Sequence, residues 1–253
     1  MEINLIRPAV ATLASVLVAA GSFRKKSLDL SGAIFAVVVM TVHIAVNYRF
    51  AAVLFAFFFT SSKLTKFGEE RKRKVDADFK EGGQRNWIQV VSNSGIATLL
   101  VLIICTSVGT HDFCLDSKDS HLFTSLSPVR KGTNGGVTKA GLMAAAVGGS
   151  VIGLTFVLLG LFTTNCAFDI KLKQLFLIPL SALFGLCGSV VDSLLGATLQ
   201  YSGFCTVRNK VVGKPGPTVK KISGLRILDN NAVNFLSILL TSLLCSVAFS
   251  YVF

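Results

Sequence analysis

The sequence predicts an all-α fold, a polytopic integral membrane bundle of six or seven transmembrane helices, and three observations support this. Long apolar blocks alternate with short loops rich in lysine and arginine. Hydrophobic residues make up 52% of the chain and charged ones 15%, with a mean hydropathy of +0.66. That leaves too few charges to coat a soluble globule of 253 residues. Most of the blocks also approach the roughly 20 apolar residues that a helix needs to cross a bilayer.

The first block, Pro8 to Phe23, is followed by Arg24, Lys25 and Lys26, whereas Met1 to Ile6 holds Glu2 and no basic cluster. That order predicts a retained first helix with its N-terminus outside, not a cleaved signal. Leu30 to Val46 is the second block. Phe50 to Thr60, centred on FAFFF, is short for a span, and Tyr48 and Ser61 to Lys63 would complete it by snorkelling at the two interfaces. Ile88 to Gly109, Ala140 to Thr164, Gln174 to Leu199 and Ala232 to Phe253 follow. A single integral domain, 1–253, is expected, with polar loops at 61–87, 110–139 and 200–230.

The net charge of +12 does not require nucleic acid. Basic residues flanking apolar helices are the ordinary positive-inside signature and meet anionic lipid headgroups, so the partner expected is the lipid bilayer. The six cysteines show no CxxC and no Cys/His metal spacing. Cys105, Cys187 and Cys245 sit within apolar blocks as packing residues. Cys114 and Cys166 flank apolar blocks and could meet on one membrane face. His43 lies in a span, His111 and His121 in a loop, and none has a partner that would make it a metal ligand.

Loop charges carry a topological signal. With seven spans the 25 basic residues split 13 to 12 between the two sides, which specifies no orientation, whereas multispanning proteins show a clear bias. One additional crossing between Ser120 and Pro128 would segregate them 20 to five. Ser120 to Ser127 is far too short to supply it. The chain reads as though one membrane crossing were missing.

Four polar segments carry whatever chemistry there is. Lys63 to Trp87 mixes both signs of charge, as a solvated loop with i,i+4 pairs and Trp87 as an interfacial anchor would; alternatively Glu81, Gln84 and Arg85 gather as functional groups near a helix head. Pro128 to Gly141 leads into an apolar helix. Gly132, Thr133, Asn134, Gly135 and Gly136, with Arg130, Lys131 and Lys139, suit either a glycine-rich turn or a phosphate cradle at a helix N-terminus. The spacing is not that of a Walker A loop.

The third segment is the span from Gly185 to Gln200, where Asp192 lies mid-helix. A carboxylate there costs a few kcal/mol on insertion scales and should face a protein or water-filled interior with a partner, as a Mg2+ ligand, a base or the mate of a loop lysine. Ser181, Gly185 and Ser189, and Gly149 and Gly153 on the preceding helix, recur every four residues and permit close helix contact. In the fourth segment, Arg208 to Asn234, Asp229 is placed as an N-cap. Alternatively Asp229, Asn230, Asn231 and Asn234 offer hard oxygen ligands for Mg2+, while Lys210, Lys214, Lys220 and Lys221 contact phosphate.

KLTKFGEERKRKVDADFKEGGQRNW, KGTNGGVTKAG, GSVVDSLLGATLQ, RNKVVGKPGPTVKK and ILDNNAVN resemble the transmembrane protein 19 family over nearly the whole chain. The resemblance is nearest to plant members described as plasma-membrane glucose-responsive regulators. It is more distant to the chloroplast phytyl-phosphate kinase of vitamin E biosynthesis. The first implies a non-enzymatic regulator of growth. The second implies CTP-dependent phosphoryl transfer to an isoprenoid monophosphate, with Mg2+ and a nucleotide as cofactors and Asp192 and Asp229 as catalytic candidates. A transporter is the third reading and rests on Asp192 alone, with no inverted repeat or paired broken helices. The plasma membrane is the expected site, with the plastid envelope or endomembranes as alternatives.

The chain departs from the family between Leu126 and Ser127. Members carry there an apolar segment ending in a motif like D-T-W-x-S-E-L-G, and here SHLFTSL runs straight into SPVRKG. The gap falls where the charge count asks for another helix, as an internal deletion from alternative splicing or transcript misprediction would. Acidic residues of that motif would be natural Mg2+ ligands, so their loss implies an inactive form. It also leads to the expectation that the loops 63–87 and 208–230 lie on opposite sides of the membrane.

Overall fold

The computed structural model describes residues 6–67, 73–74, 83–108, 134–163 and 172–252. Seven helices lie among them: α1 (Ile6–Arg24), α2 (Leu30–Val46), α3 (Tyr48–Phe67), α4 (Trp87–Val108), α5 (Lys139–Thr163), α6 (Leu177–Leu199) and α7 (Asn230–Val252). α1, α4, α5, α6 and α7 are long and apolar enough to cross a membrane, and α2 is a shorter apolar helix of 17 residues. The described structure gathers into two compact units. One comprises Met1–Phe67, Glu81–Cys114 and Val151–Ile178, the other Gly68–Lys80, Leu115–Ser150 and Pro179–Phe253.

In the first unit α1 and α2 form a hairpin whose contact is built from small residues. Ala11, Ser15, Ala19 and Ser22 line the buried face of α1 at intervals of three or four residues, and their short side chains let the helices approach closely. The Ser15 and Ser22 hydroxyls donate to the carbonyls of Ala11 and Val18, both at 2.8 Å, so this face carries no orphaned donor. Ala19, Leu28, Ala33, Ala36 and Met40 form the core that results.

Asn47 separates α2 from α3. Its extended backbone (φ −159°) ends α2, and its side-chain Oδ1 accepts the Arg49 N–H at 2.8 Å to begin α3. Leu30 to Thr60 is therefore two helices. α3 then runs past the expected apolar limit at Thr60 to Phe67, so the polar loop expected from residue 61 starts later.

Hydrogen bonds fix which helix ends meet. Arg85 pairs its backbone with the α1–α2 turn, donating to Ser27 O at 3.1 Å and accepting from Asp29 N at 3.0 Å. At the other end of α2, the Arg49 guanidinium donates to Phe156 O and Gln174 Oε1, both at 3.2 Å, and lies over the Phe156 ring. α4 starts at the Arg85 end, and α5 finishes at the Arg49 end. The two successive helices therefore point the same way, which is the direction they would have with one more crossing between them. Residues 109–133, which link them, lie outside the described residues.

In the second unit α5 and α6 pack through glycine. A Cβ on Gly149 would strike the Ser181 carbonyl, and one on Gly185 would reach Ala145 O at 2.5 Å, so the small-residue stripe read from the sequence is a backbone-to-backbone contact. The stretch expected as a polar loop at 200–230 instead holds a small antiparallel sheet of order β2-β1-β3, formed by β1 (Ser202–Cys205), β2 (Lys210–Val212) and β3 (Val219–Ser223). Gly224 (φ +74°) ends β3 against the Gln200 carbonyl, where a Cβ would not fit.

Within the second unit Lys210 Nζ donates to the Arg73 carbonyl at 2.6 Å, so these two positions meet, which bears against the expected separation of the segments that carry them.

Candidate functional site

In the second unit α6 supports the densest group of sequence-predicted residues. Asp192 lies half-buried in the span, and its Oδ1 accepts a hydrogen bond from Ser237 on α7 at 3.2 Å. Ser237 is buried, and its hydroxyl also lies 3.0 Å from the Asn234 carbonyl. A hydroxyl has one proton, so Ser237 donates to Asp192 or to its own helix but not to both. One turn further along α7 the buried Thr241 Oγ1 has no hydrogen-bond partner, and it faces α6 at Gly188. Asp192 thus meets a polar seam on α7, as an intramembrane carboxylate requires.

The glycine-rich segment reaches α6 one turn beyond Asp192. Gly135, at φ +77°, is pressed against the backbone of Ser193 and Ala197, and Gly196 lies beneath it; a Cβ at Gly135 has no room. Asn134 donates from its backbone N to Ser202 Oγ and from Nδ2 to Tyr201 O, both at 3.0 Å. Both of these donors therefore hold the loop to the start of β1. Gly136 is exposed, and Thr138 caps α5 by accepting the Gly141 N–H at 3.0 Å. Arg130, Lys131, Gly132 and Thr133 lie outside the described residues.

At the head of α7, Asp229 Oδ1 accepts the Ala232 N–H at 2.8 Å, the N-cap that the sequence offered as one of two readings. Asn230 and Asn231 occupy the first turn and Asn234 the next. Among the described residues no group of three or more His, Cys, Asp and Glu side chains could hold a metal. This turn supplies one carboxylate, with an oxygen already committed to the cap, plus three amide side chains. Mg2+ is commonly bound by one or two carboxylates together with substrate phosphates and water, so these donors fit it only in company with a phosphate ligand. Lys210 reaches the Arg73 carbonyl, Lys220 and Lys221 are exposed on β3, and Lys214 is exposed in the connection between β2 and β3.

The remaining polar candidates belong to the first unit. Gln84 Nε2 donates to Leu28 O at 3.4 Å. The Arg85 guanidinium donates to Ser62 Oγ at 2.8 Å and Ser61 Oγ at 3.3 Å. Glu81 lies outside the described residues, as do Cys114 and Cys166. His43 is buried in α2 with Nδ1 2.9 Å from Val39 O, a core position. Neither the role of Ser237 nor the Arg49–Gln174 contact is signalled in the sequence. A hydroxyl in an apolar run gives no sign of the carboxylate 45 residues away that it serves.

A bundle of apolar helices with an intramembrane carboxylate and basic loops defines a multi-pass integral membrane protein. The chain belongs to the family described as integral membrane protein DUF92, whose profile matches residues 13–120 and 114–242. The match breaks in two at 114–120, just ahead of the proposed internal gap. The chain is 57% identical to Protein PGR of Arabidopsis thaliana over 277 aligned positions, covering 96% of each chain. That alignment is longer than this chain, so the relative carries residues that are missing here. An uncharacterized membrane protein of Synechocystis sp. is 26% identical over 179 positions, which span 62% of this chain and 65% of the relative. No solved structure matches.

Proposed function

We propose that this chain is a membrane regulator of plant growth linked to sugar response and acting at the plasma membrane. The supporting observation is the 57% identity to Protein PGR across nearly the full length of both chains, taken with the regulator type that the sequence resemblance implies. Its test is genetic. Expression in a plant lacking the PGR relative should restore the growth response to glucose, and failure at normal protein level in the plasma membrane would reject the reading for this version of the chain.

A second reading, the CTP-dependent kinase of an isoprenoid monophosphate, is favoured by one observation. In the second unit, the glycine-rich loop packs on α6 one turn from Asp192, whose hydroxyl partner on α7 follows the Asp229 cap. In this reading Asp229 with the neighbouring asparagines holds Mg2+, which neutralises nucleotide phosphate charge, and the sheet lysines contact the phosphates. A nucleotide at 100 times its dissociation constant stabilises its receptor by about 2.7 kcal/mol. A rise in melting temperature with Mg2+ and CTP that Asp229→Ala removes would support the kinase. No shift at millimolar nucleotide would leave the regulator alone.

A further inference from the structure

The first unit contains a cavity of about 170 Å3 between α2, α3 and α4, and neither Asp192, Asp229, the glycine-rich segment nor the sheet lysines line it. Its chemistry is divided. Met40, Phe57 and Phe58 make an apolar wall, while Arg85, Gln89 and Asn93 supply polar groups from the start of α4 and the segment before it. Arg85 stands at the loop end, bonded to Ser61 and Ser62, and Asn93 lies eight residues further along. At 1.5 Å per residue the slot therefore runs about two helical turns into the span.

Among the described residues the partners of the Arg85 guanidinium are neutral: two serine hydroxyls and, 5.6 Å away, the face of Phe58. Burial pulls this guanidinium below its ordinary value, yet arginine remains protonated in proteins. A half-buried cation held by neutral groups gains most from an anion placed beside it, because charge-assisted bonds replace hydration already lost. The volume is close to that of cavities of about 150 Å3 that take up benzene, so it accommodates only the first few carbons of a chain. Phe57 lines the cavity and is itself 41% exposed, which gives the rest of such a chain a way out of the bundle.

We propose that this slot binds a single-chain amphiphile with an anionic head, the head on Arg85 and the first part of the hydrocarbon against Met40 and Phe58. The site rests on neither the regulator reading nor the kinase reading.

Equilibrium binding of radiolabelled decyl phosphate to the full chain in phosphatidylcholine nanodiscs tests it. One saturable site per chain is expected, with decanol unable to compete. Competition by decanoate as strong as by unlabelled decyl phosphate assigns a carboxylate-headed ligand, and weak competition assigns a phosphate-headed one; either supports the site. Arg85→Gln should weaken binding at least tenfold. Leu54→Trp, which enlarges a partly buried side chain lining the cavity and leaves Arg85 in place, should abolish saturable binding, and this keeps the test decisive if Arg85→Gln does not fold. Non-saturable uptake, displacement by decanol, or unchanged binding to Leu54→Trp would overturn the proposal.

Discussion

Asn47 and Ser237 show how much single polar residues decide in an apolar chain. Asn47 closes α2 and caps α3 with one side chain, so Asn47→Ala should cost about 1 kcal/mol of stability, read from unfolding of the purified protein. Ser237 supplies the hydrogen bond to Asp192. Removing the donor alone strands a polar group inside the bundle, at about 1–3 kcal/mol, while replacing both members with apolar groups is close to neutral. Ser237→Ala should therefore lower stability in a denaturant titration, and adding Asp192→Leu should recover part of the loss. A double variant that loses the full sum would show that Asp192 draws its support elsewhere. Of these roles, the sequence revealed that Asp192 must have a partner and that Asp229 could cap a helix. The identity of the partner depends on the rotation of α7 against α6, which local pattern does not encode.

The helices were legible because apolar runs bounded by charge leave few alternatives, and their ends agree with the apolar blocks to within a few residues for all but α3. α3 continues past the apolar run, and Thr60 and Ser61 return their hydroxyls to carbonyls one turn back, so these polar side chains are satisfied within the helix. The sheet was not read. Its strands are three to five residues long and lie in a stretch dominated by lysine, glycine and proline. Val211, Val212, Val219 and Ile222, bounded by turn residues, were the available signal. Close helix packing gives the prediction at this scale. Gly185→Leu places a large side chain where the Ala145 carbonyl lies at 2.5 Å from a bare Cβ, so it should separate α5 from α6 and sharply reduce folded yield. Gly148→Leu, at a position with no neighbour within 4 Å of a Cβ, should be tolerated. Equal loss in both variants would contradict the contact.

Across the whole chain, the expectation of one more crossing is supported within each unit separately. In the first, α4 and the end of α5 point the same way; in the second, the Arg73 and Lys210 segments touch; and the sequence's basic residues would segregate 20 to five with that crossing present. The charge count and the missing motif both pointed to the gap. The meeting of Arg73 with Lys210 was not legible, because nothing in either basic segment marks the other as its neighbour. The relative's longer alignment and the family match broken at 114–120 agree with a lost segment. Restoring an apolar segment between Leu126 and Ser127 should raise membrane-integrated yield, as quantified after detergent extraction.

The most direct test of this account places single cysteines at Lys74, at Lys214 and at Tyr48 in a background lacking the six native cysteines, and labels intact vesicles with a membrane-impermeant maleimide. Positions 74 and 214 should label from one face and position 48 from the other. Labelling of 74 and 214 from opposite faces would contradict it.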